Sequence, residues 1–279
     1  MTDNELRNTK YETRSPARPF ANQGGVVALA HRGFRGLYPE NTMLAFEKAA
    51  AMSIDGLEID IHSTKDGVLV VCHDETVDRT TEGSGRIQDF TLAELQQLDA
   101  GYRFTPDEGQ NFPFRGRGIR IPTLAAVFEH FPDMWVNVDI KQHEVSVVRP
   151  FANLIRQYNM AEWMCVGSFD NQTVADFRRA CPEVARAASL GETLRLFLLN
   201  KVKLTRFYKG KAHVLQIPEI ERGIRVITPQ FIQAAHRNKT AVHVWTVNET
   251  ADMERLIEWG VDGIISDYPD RLLQVLGRV

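Results

Sequence analysis

The chain has 279 residues, 43% hydrophobic and 25% charged, with a formal net charge of −3. That balance excludes the basic excess that marks a nucleic-acid binder, so no nucleic acid is expected as a partner. The length admits two small domains or one large α/β barrel.

Taken in chain order, residues 1–24 are polar and charged, lack the apolar core of a signal peptide, and read as a flexible tail ahead of a domain over 25–279. VVALA (26–30) is the first strand candidate, ending at His31-Arg32-Gly33. Pro39-Glu40-Asn41-Thr42 then opens a helix over 42–52, with Asn41 or Thr42 as its cap. GLEIDIH (56–62) is the second strand, and only STKDG separates it from VLVVCHD (68–74). That spacer is too short for a parallel crossover, whereas Asp66-Gly67 is a strong hairpin signal. Folding back there sets His73 roughly opposite Asp60. Residues 75–120, rich in Gly and Pro with one helix over 91–98, would overlie the rim of a barrel. Strands at 134–140, 163–169, 184–189, 212–217, 241–247 and 262–266 then alternate with helices at 122–131, 145–159, 170–180, 191–200, 228–237 and 249–259. Pro122, Pro229 and Pro269 suit first helical turns. Such alternation means right-handed βαβ units and a parallel sheet. Eight strands without a repeat or linker predict an α/β fold: a single (β/α)8 TIM-type barrel with a β-hairpin and rim insertion after the second strand.

Cys72, Cys165 and Cys181 are too few and too scattered for a disulfide framework or a zinc cluster, and read as buried thiols. No apolar run reaches transmembrane length, which gives a cytoplasmic reading.

Chemistry concentrates at strand ends. Period-two alternation puts Glu58 and Asp60 on one face of their strand, where a barrel normally carries Val, Ile or Leu. The third barrel strand places Asn137, Asp139 and Lys141 on a common face. Three carboxylates gathered there need compensation, which a hard divalent cation provides through oxygen ligands. The alternative is a structural network in which the acids pair with Arg32 and Lys141. His31 and His73 each end an apolar strand and suit general acid-base work. His62, His130, His143, His213, His236 and His243 read as structural, His62 least securely because it shares the face of Glu58 and Asp60.

AHRGFRGLYPENTMLAFEKA, GLEIDIHSTKDGVLVVCHDETVDRTTEGSG, VNVDIK, VHVWTVNE and GVDGIISDYP together resemble the glycerophosphodiester phosphodiesterase family, in family order, from about residue 26 to the end. The resemblance implies a (β/α)8 barrel that hydrolyses glycerophosphodiesters, a small-molecule substrate, to sn-glycerol 3-phosphate and an alcohol, with Ca²⁺ or Mg²⁺. It further implies His31 and His73 as the acid-base pair, Glu58 and Asp60 as metal ligands, Arg32 as a phosphate clamp, and Trp245 as an aromatic wall of the substrate pocket. Asp139 stands where the family often has Glu in an N-x-E-x-K pattern, with Lys141 beside it to face an anion. Two other functions stay open: a lysophospholipase D working at a membrane surface, and a non-catalytic lipid-head-group binding protein. Residues 194–211 interleave apolar residues with Arg195, Lys201, Lys203, Arg206, Lys209 and Lys211. They read either as a barrel helix with a solvated basic end or as a peripheral membrane contact.

Overall fold

Short apolar runs form the strands of the computed structural model, which describes residues 25–142, 144 and 146–278. The N-terminal segment read as a tail and His143 lie outside the described residues. In chain order the strands are β1 (Val27–His31), β2 (Gly56–Ser63), β3 (Leu69–Val71), β4 (Trp135–Ile140), β5 (Met164–Gly167), β6 (Ala185–Arg186), β7 (Val214–Ile217), β8 (Ile220–Glu221), β9 (Ile224–Arg225), β10 (Ala241–Val244) and β11 (Gly263–Ser266). Eight of them run parallel in the order β6-β5-β4-β2-β1-β11-β10-β7. The two ends meet through a parallel bridge between Ala187 and Val214, with Ala188 N donating to Val214 O at 2.8 Å and His213 N to Arg186 O at 3.0 Å. The result is a nearly closed (β/α)8 barrel, as the alternation predicts.

Alternation along each strand sorts the side chains into two layers. Leu57, Ile59 and Ile61 of β2, and Val136, Val138 and Ile140 of β4, pack outward in the main core. Opposite them, five of the surrounding helices each supply a fully buried phenylalanine, namely Phe46, Phe128, Phe151, Phe177 and Phe231. Inside the barrel Val27, Leu29 and Ile265 form a smaller cluster packed by Trp135 and Trp245. The even-numbered acids of β2 and the odd-numbered polar residues of β4 are therefore left on the interior face, at the carboxyl ends of their strands.

The β2–β3 hairpin differs from its expected register by one residue. Ile61 pairs Val71, His62 pairs Val70 and Ser63 pairs Leu69, and Cys72 N donates to Asp60 O at 3.0 Å. Cys72, not His73, therefore faces Asp60. The turn closes on Thr64 and Val68, Thr64 N donating to Val68 O at 3.0 Å, and this fixes the count along both arms. The rim insertion rests on this hairpin through its own core of Val70, Cys72, Val77, Ile87, Leu95, Ala100 and Ile121. Its helix is only Leu92–Leu95, started by a Thr91–Glu94 capping box. The β8–β9 hairpin escapes the sequence reading because two-residue arms leave no periodic signal; it turns on Arg222 (φ 48°) and Gly223 (φ 79°). A final helix, Pro269–Val275, begins at the proline that suited a first turn. All three cysteines are free and buried, as expected.

Candidate active site

His31 closes β1 beside β11, whose register pairs Ala30 with Ser266. The next residue, Asp267, reaches His31 Nδ1 at 2.6 Å and is itself held by Asn248 Nδ2 at 2.9 Å. The carboxylate fixes the proton on Nδ1, leaving the lone pair of a neutral ring on Nε2. Burial lowers the His31 pKa, outweighing the opposite pull of Asp267. Burial also pushes the Asp267 carboxyl up, but the His31 hydrogen bond and nearby positive charge leave it below its usual range.

The chain then turns in left-handed conformation at Arg32 (φ 51°) and Gly33 (φ 82°). A Cβ on Gly33 would stand 2.8 Å from Ala45, so only glycine fits. The turn brings Arg32 N to Glu58 Oε2 at 3.2 Å, Arg32 Nη1 to Glu40 Oε1 at 2.8 Å, and Arg32 Nε to 3.3 Å from Asp60 Oδ2. Of the two expected caps, Thr42 takes the role by accepting from Ala45 N; Asn41 instead donates to Asp60 Oδ2 at 2.9 Å.

The three acids read as metal ligands lie on two adjacent strands. Glu58 and Asp60 follow each other on the inner face of β2, and Asp60 lies in register with Asp139 of β4. Burial, then the neighbouring Asp60, drives the Glu58 pKa well up; burial raises that of Asp139 as well, against the pull of Lys141. Lys141 Nζ donates to Asp139 Oδ2 at 2.6 Å and lies 3.1 Å from Asp60 Oδ1. Arg32 and Lys141 thus tie the carboxylates into the network foreseen as the alternative. Among the described residues no three His, Cys, Asp or Glu side chains stand together as a ready ligand set. The donor chemistry nevertheless fits a hard dication. Three carboxylates, Glu58 and Asp60 buried and Asp139 half-buried, share the two cations Arg32 and Lys141, and a divalent ion at their oxygens would offset the burial that disfavours the charged forms of Glu58 and Asp139.

His73 sits just past β3 and is partly exposed, with Nδ1 2.6 Å from Asp74 Oδ1. Arg79, from the rim insertion, donates to both Asp74 oxygens at 2.6 and 3.2 Å and to both Glu40 oxygens at 2.9 and 2.7 Å. Burial pushes the Glu40 carboxyl up, but hydrogen bonds from Arg79 and the charges of Arg32, Arg79 and Arg35 hold it far below its ordinary value. One chain of ion pairs therefore runs from His73 through Asp74, Arg79, Glu40 and Arg32 to Asp60, Lys141 and Asp139. Arg35 joins it to the His31 side, between Glu40 Oε2 at 3.0 Å and Asp267 Oδ1 at 3.4 Å. Trp245 follows β10 and meets Phe169 edge-on at 5.9 Å between centroids, while Lys141 Nζ lies 5.2 Å over the Phe169 ring.

Glu40, Arg79, Asp267, Asn248 and Phe169 are site residues that the sequence reading did not single out. Glu40, Arg79, Asn248 and Asp267 lay within its motifs, but nothing local announces a contact across 39 or 236 positions. His62 donates from Nε2 toward His73 O at 3.2 Å and lines a cavity of about 180 Å³ with Glu75, Arg86, Gln142 and Lys141. His213 accepts from Arg186 N at 3.1 Å, His236 lies 2.7 Å from Asp262, His243 is fully buried, and His130 lies at the surface 3.5 Å from Glu47. None of these contacts joins the four to His31, Glu58, Asp60 or His73, in keeping with a structural reading.

The sequence model of the glycerophosphoryl diester phosphodiesterase family matches residues 31–271. The chain belongs to that family. Membership places it among the hydrolases of phosphoric diesters, and relatives cover most of its length. A glycerophosphodiester phosphodiesterase of Caldanaerobacter subterraneus subsp. tengcongensis is 36% identical over 258 residues, 91% of this chain and 98% of the relative. A lysophospholipase D of Mus musculus is 28% identical over 275 residues, 90% and 86% of the two chains. Among solved structures, an Oleispira antarctica phosphodiesterase in complex with the product sn-glycerol-3-phosphate superposes with a TM-score of 0.71 at 25% identity, over 90% and 96% of the two chains. A family structure from Silicibacter pomeroyi gives 0.76 at 25% identity, over 93% and 95%. Among the described residues no helix is long and apolar enough to cross a membrane.

Proposed function

We propose that the protein hydrolyses glycerophosphodiesters to sn-glycerol 3-phosphate and an alcohol, with His31 and His73 as its proton-transfer pair. The observation that carries the reading is the single ion-pair network joining two carboxylate-oriented histidines to the acids and cations of one barrel rim. Asp267 and Asp74 each hold an imidazole by Nδ1, which directs Nε2 to the reacting group. One ring accepts the proton of the nucleophile, either water or the substrate's own hydroxyl forming a cyclic phosphate that water then opens, and the other donates to the departing alkoxide. Arg32 and Lys141 grip the phosphate oxygens in charge-assisted hydrogen bonds. Trp245, backed by Phe169, closes the apolar side of the pocket. Glu58, Asp60 and Asp139 would hold a divalent cation, Ca²⁺ or Mg²⁺, which when bound supplies Lewis-acid neutralisation of phosphate charge. Asp139 is one methylene shorter than the Glu common in the family, so its reach to a cation is the shorter.

A lysophospholipase D activity is the second reading, favoured by the similarity to the mouse enzyme of that name. Product analysis with glycerophosphocholine and lysophosphatidylcholine tests both. Release of sn-glycerol 3-phosphate from the first, faster than lysophosphatidic acid from the second, is the expected result. The reverse order gives the second reading, and no turnover of either defeats both.

A further inference from the structure

The helix Leu190–Lys201 has two apolar sides. Leu196 is fully buried, and Phe197 and Leu199 pack on the barrel core beside it. On the outer side Leu190, Leu194, Leu198 and Val202 follow one another at helical spacing, yet are 59%, 52%, 54% and 61% exposed. The neighbouring barrel helices behave differently. The helix Val148–Gln157 exposes Arg149, Asn153 and Arg156, and the helix Asn171–Ala180 exposes Gln172, Arg178 and Arg179. The apolar stripe continues past the helix end into exposed Leu204 and Phe207.

Charge surrounds the stripe. Arg195, Lys201, Lys203, Arg206, Lys209 and Lys211 are all exposed, in a chain whose overall formal charge is −3. Glu192 is the one acid between residues 189 and 211, and it is taken by buried Arg186 at 2.6 and 2.9 Å. A helix presenting leucines outward with lysine and arginine beside them suits an interface between water and an anionic lipid layer, where the leucines enter the acyl boundary and the cations meet head groups. A second copy of the chain fits poorly, because a two-fold contact through this face would set the six cations against their own images. The stripe also begins at the catalytic rim. Gly191 N donates to Asn171 Oδ1 at 3.1 Å, and Asn171 lies two residues beyond Phe169, the ring that abuts Trp245 and Lys141.

We propose that the outer face of Leu190–Lys201, extended to Phe207, docks the barrel sideways on an anionic lipid surface, with the mouth of the site beside that surface. The docking is independent of which diester is cleaved, and its test does not read hydrolysis. The full chain is sedimented with vesicles of phosphatidylcholine alone and of phosphatidylcholine mixed with phosphatidylglycerol, at low and high salt. Pelleting with the mixed vesicles that weakens with salt is expected. Leu194→Gln with Leu198→Gln should reduce the partition about tenfold or more at both salts, from the apolar area that no longer enters the layer. Lys201→Gln with Lys203→Gln should reduce it mainly at low salt, by about fivefold per charge. Parental circular dichroism and melting temperature in both variants keep the barrel intact as the reference. Three results would overturn the proposal: no salt-sensitive pelleting of the parent, pelleting unchanged in the leucine variant, or light scattering in which the parent is a dimer and the leucine variant a monomer. Loss of diesterase activity with vesicle binding retained would count against the proposed hydrolysis alone.

Discussion

Arg79→Ala removes the one side chain that ties the rim insertion to both Glu40 and Asp74. Four hydrogen bonds go, two to each carboxylate. Arg79 is 44% exposed, so its bond to half-open Asp74 counts as a surface pair, about 0.2–1 kcal/mol. Glu40 is mostly shielded, its side chain 10% exposed, but Arg32 and Arg35 still hold it, so the full penalty of about 3–5 kcal/mol for stranding a buried charge does not apply. Together these put the loss at about 2 kcal/mol, or a fall in Tm of roughly 4–8 °C for a domain of this size. The kinetic effect passes through Asp74. With Arg79 gone, Asp74 keeps His73 as its partner but loses the clamp that fixes its plane, and His73 samples unproductive orientations. kcat on glycerophosphocholine should fall about tenfold with KM little changed, the pattern of a lost transition-state interaction. Arg79→Lys keeps the charge without the two-pronged geometry and should recover only part of either quantity. Differential scanning calorimetry and steady-state kinetics on the three proteins suffice. Parental kcat in Arg79→Ala, with the melting temperature lowered as expected, would confine Arg79 to a structural role and refute the positioning argument.

His31→Ala and His73→Ala should each lower kcat by about 10²–10⁴ with parental circular dichroism; near-parental turnover in either removes that ring from the chemistry. Chelation should abolish activity, and Ca²⁺ or Mg²⁺ should restore it, whereas Glu58→Gln should lose both activity and calorimetrically measured Ca²⁺ binding in a folded barrel. Full activity in enzyme proven metal-free by elemental analysis would remove the cation from the reading. Glu40 has its folded pKa depressed below the unfolded value of about 4.3, so its contribution to stability is complete above that pH and is lost as the pH falls through the folded value. Glu40→Gln should therefore lower the melting temperature at pH 7, and the gap from the parent should close as the pH drops below about 4. A gap that widens in acid contradicts the assignment.

The sequence by itself determined where the eight barrel strands run, which side of β2 and β4 faces inward, and so which chemistry the interior carries. Period-two alternation is local, and Glu58 and Asp60 could not leave the face opposite Leu57, Ile59 and Ile61 without burying charge among the helices. The same logic set Asn137, Asp139 and Lys141 on one side of β4. The Asp66-Gly67 turn was legible for a similar reason, since its signal lies within a few residues; its register was not, because one residue of slip leaves the hydrophobicity of so short an arm almost unchanged. What only the tertiary structure decided is who faces whom. Asp267 reaches His31 because β11 closes beside β1, and Arg79 reaches Glu40 because the insertion folds back over the first loop. The cations that separate the carboxylates take those positions only once β1, β2 and β4 stand side by side. The outer leucines of Leu190–Lys201 make the same point from the opposite side. Their spacing is that of any barrel helix, and only the packed structure leaves them facing out, because Leu196 and its neighbours already fill the space against the barrel.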